Sequence, residues 1–254
     1  METLKVILLA IEQGVTELLP ISSSAHLILT SQLLDIEMDT YLLSVLHLGT
    51  TIALLIHFWE FLFKDILKKE KLSMYLKIVI STIPAGIVGL LFESLIEESL
   101  RGNLVIAISL ITWGIVMIWI ERKRKENEQP LQTISWKQSL SMGIAQIISL
   151  IPGGSRSGIS TIAGMLTGLN KYTAIQYSFL LGLPLLLLAP LYSILKEYPE
   201  RILNSTHLLG ILIAGAITYL ALYLLKKFSK KNWLTLFGVY RIVLGVIVLL
   251  LFFF

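Results

Sequence analysis

Six apolar segments, each long enough to cross a lipid bilayer, constrain the fold more than any other feature of this sequence. A membrane-spanning helix needs roughly 17 to 25 predominantly apolar residues. The segments occupy about 42–63, 75–92, 104–120, 177–195, 208–225 and 234–254. Hydrophobic residues make up 55% of the 254-residue chain and charged residues only 15%, a balance far from that of soluble domains. The sequence therefore predicts an all-α polytopic membrane protein with six transmembrane helices.

Two further apolar segments are interrupted at their centres. The interruption at about 4–30 contains Pro20 and three serines at 22–24, and the one at about 138–169 contains Pro152, Gly153 and Gly154. Proline and glycine disfavour a continuous helix. Irregular backbone is tolerated at membrane depth only where protein or a polar cavity covers it. Each segment is therefore predicted to form a re-entrant hairpin of two half-helices rather than a crossing.

The charges of the connecting loops predict the topology, because lysine and arginine accumulate on the cytoplasmic side. Basic clusters at 64–71, 122–125 and 226–231 mark inside loops, whereas the loop at 34–40 has no basic residue. This assignment places both termini outside. It makes the first hairpin enter from outside and the second from inside, each followed by three crossings. The chain is thus predicted to be one membrane domain, 1–254, built from inverted pseudo-repeats of about 1–125 and 133–254.

A short sequence similarity between the two halves of the chain supports this duplication. Three residues of the first half recur in the same order in the second, with a one-residue gap: Gln13, Pro20 and Ser23 correspond to Gln146, Pro152 and Ser155. Further on, Leu48-Gly49 corresponds to Leu181-Gly182. Inverted repeats place a binding site near the midplane, where the broken helices meet. The two interrupted segments are therefore predicted to form one site.

Composition excludes several classes of function. The net charge of +4 comes from basic residues in short runs between apolar spans, which is typical of positive-inside topology and not of a nucleic-acid surface. The chain has no cysteine, so it has no disulfide, thiolate metal site or cysteine nucleophile.

The first interrupted segment carries the residues of a nucleophilic centre. Gln13 and Glu17 are four residues apart and lie on one helical face, and Ser22, Ser23 and His26 follow the proline. Serine with a nearby histidine and carboxylate is the inventory for nucleophilic attack assisted by a base. The structural alternative is that the serines cap the second half-helix while His26 hydrogen-bonds locally.

The second interrupted segment carries the residues of an anion site. Gly153 and Gly154 allow close backbone approach, and the hydroxyls of Ser155, Ser157 and Ser160 lie at the start of a half-helix. Arg156 adds a planar, permanently charged fork suited to phosphate. The structural alternative is that Arg156 pairs with Glu17 as an inert strut.

Four other polar residues are predicted to have structural or interfacial roles. Arg241, inside the last span, is expected either to reach a lipid phosphate or to extend to the interface. Tyr240 fits interfacial anchoring. His47 and His57 do not share a helical face closely and are predicted to pack between helices.

Both motifs together resemble those of the membrane undecaprenyl-diphosphate phosphatases associated with bacitracin resistance. The specific matches are QGVTELLPISSSAH at 13–26 and PGGSRSG at 152–158. Supporting similarities are STIPAGIVGLLFE at 81–93, SFLLGLP at 178–184 and YRIVLG at 240–245. The chain departs from the family pattern at Gln13, where many members have glutamate, and at Ala25, where glycine is usual.

The resemblance implies hydrolysis of a C55 polyprenyl diphosphate to the carrier monophosphate that is reused in cell-wall synthesis. Carried onto this sequence, it makes Ser23 the nucleophile, Glu17 the acidic motif residue, His26 the motif histidine and Arg156 the phosphate-binding arginine. Gln13, Ser22 and the cradle at 153–157 are expected to contact the substrate with Ser160. No tightly bound cofactor is expected; a divalent cation, Mg²⁺ or Ca²⁺, is expected to arrive with the diphosphate. A polyprenyl-phosphate transporter or flippase is the alternative, and a homodimer is left open.

Overall fold

The computed structural model describes residues 2–36, 40–123, 129–197, 204–228 and 232–253, and this part of the chain is helical without strands. A one-turn 3₁₀ helix, Leu131–Thr133, joins its two halves, and a π-helical turn, Ser193–Glu197, extends one long helix. The α-helices are α1 (Glu2–Thr16), α2 (Ser23–Leu33), α3 (Thr40–His57), α4 (Trp59–Phe63), α5 (Lys69–Leu91), α6 (Glu93–Ser99), α7 (Asn103–Glu121), α8 (Trp136–Ile148), α9 (Arg156–Leu166), α10 (Lys171–Tyr192), α11 (Ser205–Phe228) and α12 (Trp233–Phe253).

Five helices of the described residues are long and apolar enough to cross a membrane, namely α5, α7, α10, α11 and α12. They correspond to five of the six predicted spans. The prediction was wrong for 42–63 as one continuous helix, because α3 ends at His57 and the separate α4 begins at Trp59. The apolar part of α3, Tyr41–His57, is shorter than the five candidate spans.

The start of α10 also differs from the predicted span, which began at residue 177. The helix begins at Lys171 because the Asn170 side chain accepts a hydrogen bond from the Thr173 amide at 2.8 Å and caps it. Lys171 is buried in an ion pair with Glu121 at the end of α7. The second Glu121 oxygen accepts from the Thr235 amide at 2.7 Å, so this carboxylate joins the ends of three helices.

Both interrupted segments are broken where the sequence predicts. The first break separates α1 from α2 between Thr16 and Ser23, and the second separates α8 from α9 between Ile148 and Arg156. Several loop charges used for the topology, at 37–39, 124–125 and 230–231, lie outside the described residues.

The polarity of the bundle is that of a membrane protein. Large apolar side chains are exposed along the long helices, for example Leu212, Leu236 and Leu251 at 68%, 66% and 64%. Polar side chains lie inside and are fully buried, among them Gln13, Thr50, Ser81, Ser160, Thr218 and Arg241. Such an arrangement is stable where lipid covers the outside and the buried polar groups find partners within the protein. The chain is therefore a multi-pass membrane protein.

The helices of the two halves interlock. Helix α1 packs against α11 of the second half, and α8 packs against α5 of the first. Two further contacts join long helices from the first and second halves of the chain, α7 with α12 and α3 with α10. Small residues permit the close crossings: a Cβ at Gly114 would lie 2.7 Å from the Gly238 carbonyl oxygen of α12. This interlocking brings the two broken segments to one place.

Candidate active site

The two breaks lie directly against each other. The Gly153 amide donates to Ser22 Oγ at 3.1 Å, and Ser157 Oγ donates to the Leu19 carbonyl at 3.3 Å. Gly153 has φ 89°, a left-handed conformation that favours glycine, and a Cβ there would lie 2.8 Å from Ser109 Cβ. The first turns of α2 and α9 therefore meet in the interior.

A serine in a left-handed conformation caps each of these two helices. Ser22 has φ 73° and accepts from the Ala25 amide at 3.4 Å, and Ser155 has φ 70° and accepts from the Gly158 amide at 3.2 Å. Positive φ is uncommon and costly for a residue other than glycine, and it persists only where the surroundings impose it. The capping alternative thus describes Ser22 in the first segment, but Ser23 has different partners, and Ser155 caps α9 in the same way as Ser22 caps α2.

Glu17 is the centre of the site. Its Oε2 accepts from Ser23 Oγ at 2.7 Å and from Gln13 Nε2 at 3.1 Å. Its Oε1 accepts from Arg156 Nη2 at 2.8 Å. The Glu17 side chain is only 5% exposed, so the carboxylate is held by a hydroxyl, an amide and a guanidinium in the protein interior. The structure therefore brings together four residues that the sequence singled out.

His47 of α3 also reaches this carboxylate, although the sequence predicts only helix packing for it. Its Nε2 lies 3.5 Å from Glu17 Oε2, and its Nδ1 lies 2.8 Å from the Leu43 carbonyl oxygen. His47 does lie between helices, because α1 packs against α3. The sequence of α3 does not show which residues of the first segment it faces, so the contact with Glu17 is not predicted.

Gly182 of α10 makes room for Arg156. A Cβ at position 182 would overlap Arg156 Nη1 and lie 2.5 Å from Cζ. Nη1 is buried and has no hydrogen-bond partner within the described part of the chain. The sequence similarity pairs Gly182 with Gly49 but indicates no part for it in the site. The overlap with Arg156 places it there.

Arg241 of α12 links the two breaks. Nη1 donates to the Pro20 carbonyl at 2.9 Å, and Nη2 donates to the carbonyls of Gly153 and Gly154. The residue is completely buried. The prediction that Arg241 extends to the interface was wrong, because its side chain is buried against backbone carbonyls. These carbonyls lie in the breaks, where no helix supplies a backbone donor, and the Arg241 guanidinium donates to them in place of water.

Two predicted site residues lie apart from Glu17. His26 Nδ1 lies 2.8 Å from the Ser22 carbonyl oxygen, and its Nε2 lies 2.6 Å from the Tyr240 hydroxyl, so the imidazole bridges α2 and α12. Ser160 is completely buried one turn beyond Arg156, and its hydroxyl has no partner among the described residues. Tyr240 is half-exposed and therefore joins the edge of the site rather than acting as an anchor alone.

The donor set does not fit a metal ion held by the protein. The described residues contain no group of three histidine, cysteine, aspartate or glutamate side chains that could hold a metal. Both oxygens of Glu17 are engaged by Ser23, Gln13 and Arg156. Magnesium and calcium require several oxygen ligands, which this carboxylate does not supply alone.

The apolar bundle and its enclosed polar centre define a multi-pass membrane protein with a site inside the helix bundle. Comparison with known families is more specific: residues 6–247 match the family described as Bacitracin resistance protein BacA, and the chain belongs to this family. The resemblance stated from the two motifs is thereby confirmed.

Relatives match over almost the whole chain. A protein of Enterococcus faecalis named undecaprenyl-diphosphatase is 35% identical over 268 residues, with 98% of this chain and 97% of the relative covered. An undecaprenyl-diphosphatase of Campylobacter jejuni (strain 81-176) is 37% identical, with 96% and 92% covered. One of Methanococcus aeolicus is 37% identical, with 99% of each chain covered.

Proposed function

We propose that this protein hydrolyses undecaprenyl diphosphate, or a related polyprenyl diphosphate, to the monophosphate and inorganic phosphate. The observation that carries the proposal is the meeting of two helix N-termini at Ser23 and Arg156, with Glu17 between them. The names of the relatives favour this chemistry over the transporter alternative. Hydrolysis returns the lipid carrier for use in peptidoglycan synthesis.

The opposed N-termini of α2 and α9 suit the terminal phosphate. The first amides of an α-helix have no intrahelical acceptor, and the helix dipole makes this end favourable for an anion. Arg156 adds a full positive charge as the first residue of α9. Nη1, which has no hydrogen-bond partner in the described ranges of the chain, and Nη2 can together bind two phosphate oxygens once Nη2 leaves Glu17.

Ser23 is the nucleophile in the proposed reaction. Its Oγ attacks the terminal phosphorus and forms a P–O bond, while the bond from phosphorus to the bridging oxygen breaks and releases the lipid monophosphate. The Ser23 proton passes to Glu17 Oε2, to which the hydroxyl already donates at 2.7 Å. Glu17 passes this proton to the departing lipid monophosphate. Water then attacks the phosphoserine phosphorus; Glu17 takes a proton from this water and returns it to Ser23 Oγ as the bond between Ser23 Oγ and phosphorus breaks, which releases inorganic phosphate. The two ring nitrogens of His26 contact Tyr240 and the Ser22 carbonyl oxygen, whereas the Ser23 hydroxyl donates to Glu17, so we assign the proton transfer to Glu17.

We propose further that a divalent cation enters with the diphosphate rather than residing in the protein, because the donor set around Glu17 lacks the ligands to hold one. The cation is then part of the substrate, and the residues of the chain act on the complex of diphosphate and metal.

The proposed topology has six crossings, with α3 as the sixth, and two re-entrant pairs, α1–α2 and α8–α9. Both termini lie outside, and the polyprenyl tail lies between helices in the bilayer. Equivalent serine caps at Ser22 and Ser155 support an inverted repeat. So do the buried glutamines at corresponding positions, Gln13 and Gln146, and the matching contacts of α1 with α11 and α8 with α5.

Phosphate release by the purified protein in detergent tests the proposal. We expect Ser23→Ala and Arg156→Ala to lose about a thousandfold in kcat/KM, since nucleophile and anion stabilisation each contribute about that much. Ser31→Ala is the matched control, because its hydroxyl donates to Ile28 within the same α2, away from Glu17. Full activity in both site variants would contradict the site. A wild-type protein that moves the lipid across vesicles without releasing phosphate would favour the transporter.

A further inference from the structure

His47 is a titratable residue at the site that the proposed reaction leaves without a role. It lies in the middle of α3, its side chain is 21% exposed, and its Nε2 is 3.5 Å from Glu17 Oε2. The same oxygen accepts the Ser23 proton in the proposed reaction, so any charge on His47 acts directly on the base.

The hydrogen bonds of His47 define which form of the imidazole suits this position. A carbonyl oxygen can only accept, so the 2.8 Å contact with Leu43 requires the proton on Nδ1. A neutral imidazole would then direct the lone pair of Nε2 at the carboxylate oxygen. The contact is favourable when Nε2 also carries a proton and His47 is an imidazolium. Glu17 is then held between two cations, Arg156 on Oε1 and His47 on Oε2.

Substrate binding removes one of these two cations from Glu17. The diphosphate takes Arg156 as its own partner and brings further negative charge beside Glu17. A carboxylate without a cation in an apolar interior favours its neutral form, and a neutral Glu17 cannot accept the Ser23 proton. We propose that His47 is a positioning residue whose positive charge keeps Glu17 ionised while Arg156 binds the diphosphate. This inference rests on the proposed phosphatase function.

The charged groups around His47 are few. Glu17, directly after α1, and Arg156 from α9 face it. Four other elements pack against α3, namely α10, α11, α4 and the π-helical turn Ser193–Glu197. Of these, α4 carries Glu60, which is exposed and pairs with Lys64. Among the residues whose side chains are described, α10 carries a charge only at Lys171, which pairs with Glu121, and α11 has His207 near its start, against Tyr41. A pH effect on Glu17 that disappears with the imidazole is therefore attributable to His47.

The test is the pH dependence of kcat for phosphate release by the full-length protein, from about pH 5 to about pH 9, which brackets the ordinary range of histidine. In the wild type, kcat is expected to fall as pH rises and His47 loses its charge. His47→Gln keeps a donor for Glu17 without the charge. We expect its kcat to be about tenfold lower with KM within about twofold, and its alkaline decline to be absent.

His47→Lys keeps a positive charge throughout this range and is expected to retain more activity than His47→Gln at alkaline pH. His57→Gln is the matched control on the same helix; its ring packs against Phe58 and Tyr219, away from Glu17, and its profile is expected to follow the wild type.

An alkaline decline in His47→Gln equal to that of the wild type would overturn the inference, as would wild-type kcat in that variant. If His47→Gln fails to fold, the pH dependence of kcat for His47→Lys becomes the test. An alkaline decline in kcat as large as that of the wild type would contradict the proposed role of His47. Absence of phosphate release by the wild type at every pH would instead contradict the proposed function.

Discussion

Substitution of Gly182 by alanine tests whether the space beside Arg156 sets the activity. The added Cβ would overlap Nη1 of Arg156 and lie 2.5 Å from Cζ and 3.3 Å from Nε. Nη1 is the far end of a flexible side chain, whereas the α10 backbone is fixed by its packing on α9 and α3. The guanidinium therefore moves and the helix does not. We expect Gly182→Ala to fold normally and to lose activity.

The expected loss of activity follows from how far the Arg156 guanidinium must move. Ordinary carbon contacts require about 3.5 Å or more, so Cζ must shift by at least about 1 Å, and Nη1, which overlaps the added Cβ, must shift further. That shift separates Nη2 from Glu17 Oε1, now at 2.8 Å, and moves both donors away from the first turn of α9. A misplacement of about 1 Å in a positioning group costs about a hundredfold, or about 2.7 kcal/mol of transition-state stabilisation.

The assay is phosphate release from a polyprenyl diphosphate in detergent, with the thermal midpoint of each variant measured in parallel. Gly86→Ala is the matched control: it also lies on a long helix facing α10, but its Cβ would meet only Leu185 Cδ2, at an ordinary 3.5 Å. We expect kcat/KM to fall about a hundredfold for Gly182→Ala and to stay at the wild-type value for Gly86→Ala, with both thermal midpoints unchanged.

Two results would refute this reasoning. Wild-type kcat/KM in Gly182→Ala would show that the position of Arg156 does not limit the reaction. A further loss when Gly182→Ala is added to Arg156→Ala would show that the glycine acts through another group, because the two changes are expected to have no separate effects.

Two further predictions concern the scaffold. Arg241→Met removes the donor for the carbonyls of Pro20, Gly153 and Gly154, and we expect it to destabilise the protein by about 3 kcal/mol, measured by thermal unfolding in detergent. An unchanged midpoint would contradict the bridging role. Because the chain has no cysteine, a single cysteine in place of Asp39 can be labelled with a membrane-impermeant thiol reagent in intact cells. Labelling only from the cytoplasmic side would overturn the proposed topology.

The sequence alone predicts the features that depend on local composition. Five spans follow from apolar length, and both breaks follow from prolines with neighbouring serines or glycines. The hydrogen bond of Gln13 to Glu17 follows from their four-residue spacing across the end of α1. In each case the interacting residues are close in sequence, so the local sequence pattern predicts their contact.

The sequence does not predict contacts that arise from packing between distant helices. His47, Gly182 and Arg241 lie on three different long helices, and each points at the site only because of how α3, α10 and α12 surround the two breaks. The sequence does contain one feature that could have placed Arg241 at the breaks. An arginine in an apolar span needs several acceptors, and the only unsatisfied carbonyls predicted at that depth are those of the breaks.

The register of the proposed repeat shows why the two halves of the site differ. The sequence similarity pairs Ser23 with Ser155 across a one-residue gap, but the structure gives Ser22 and Ser155 the same capping role and nearly the same φ. If Ser22 is paired with Ser155, then Gln13 with Gln146 and Gly49 with Gly182 are separated by the same number of residues, so no gap is needed between these pairs. The partner of Ser23 is then Arg156, because each is the first residue of its half-helix. In the proposed reaction, these two N-termini thus present the nucleophile Ser23 from one half of the chain and the cation Arg156 from the other. One anion bound between them meets both, which a site with two serines or two arginines would not achieve.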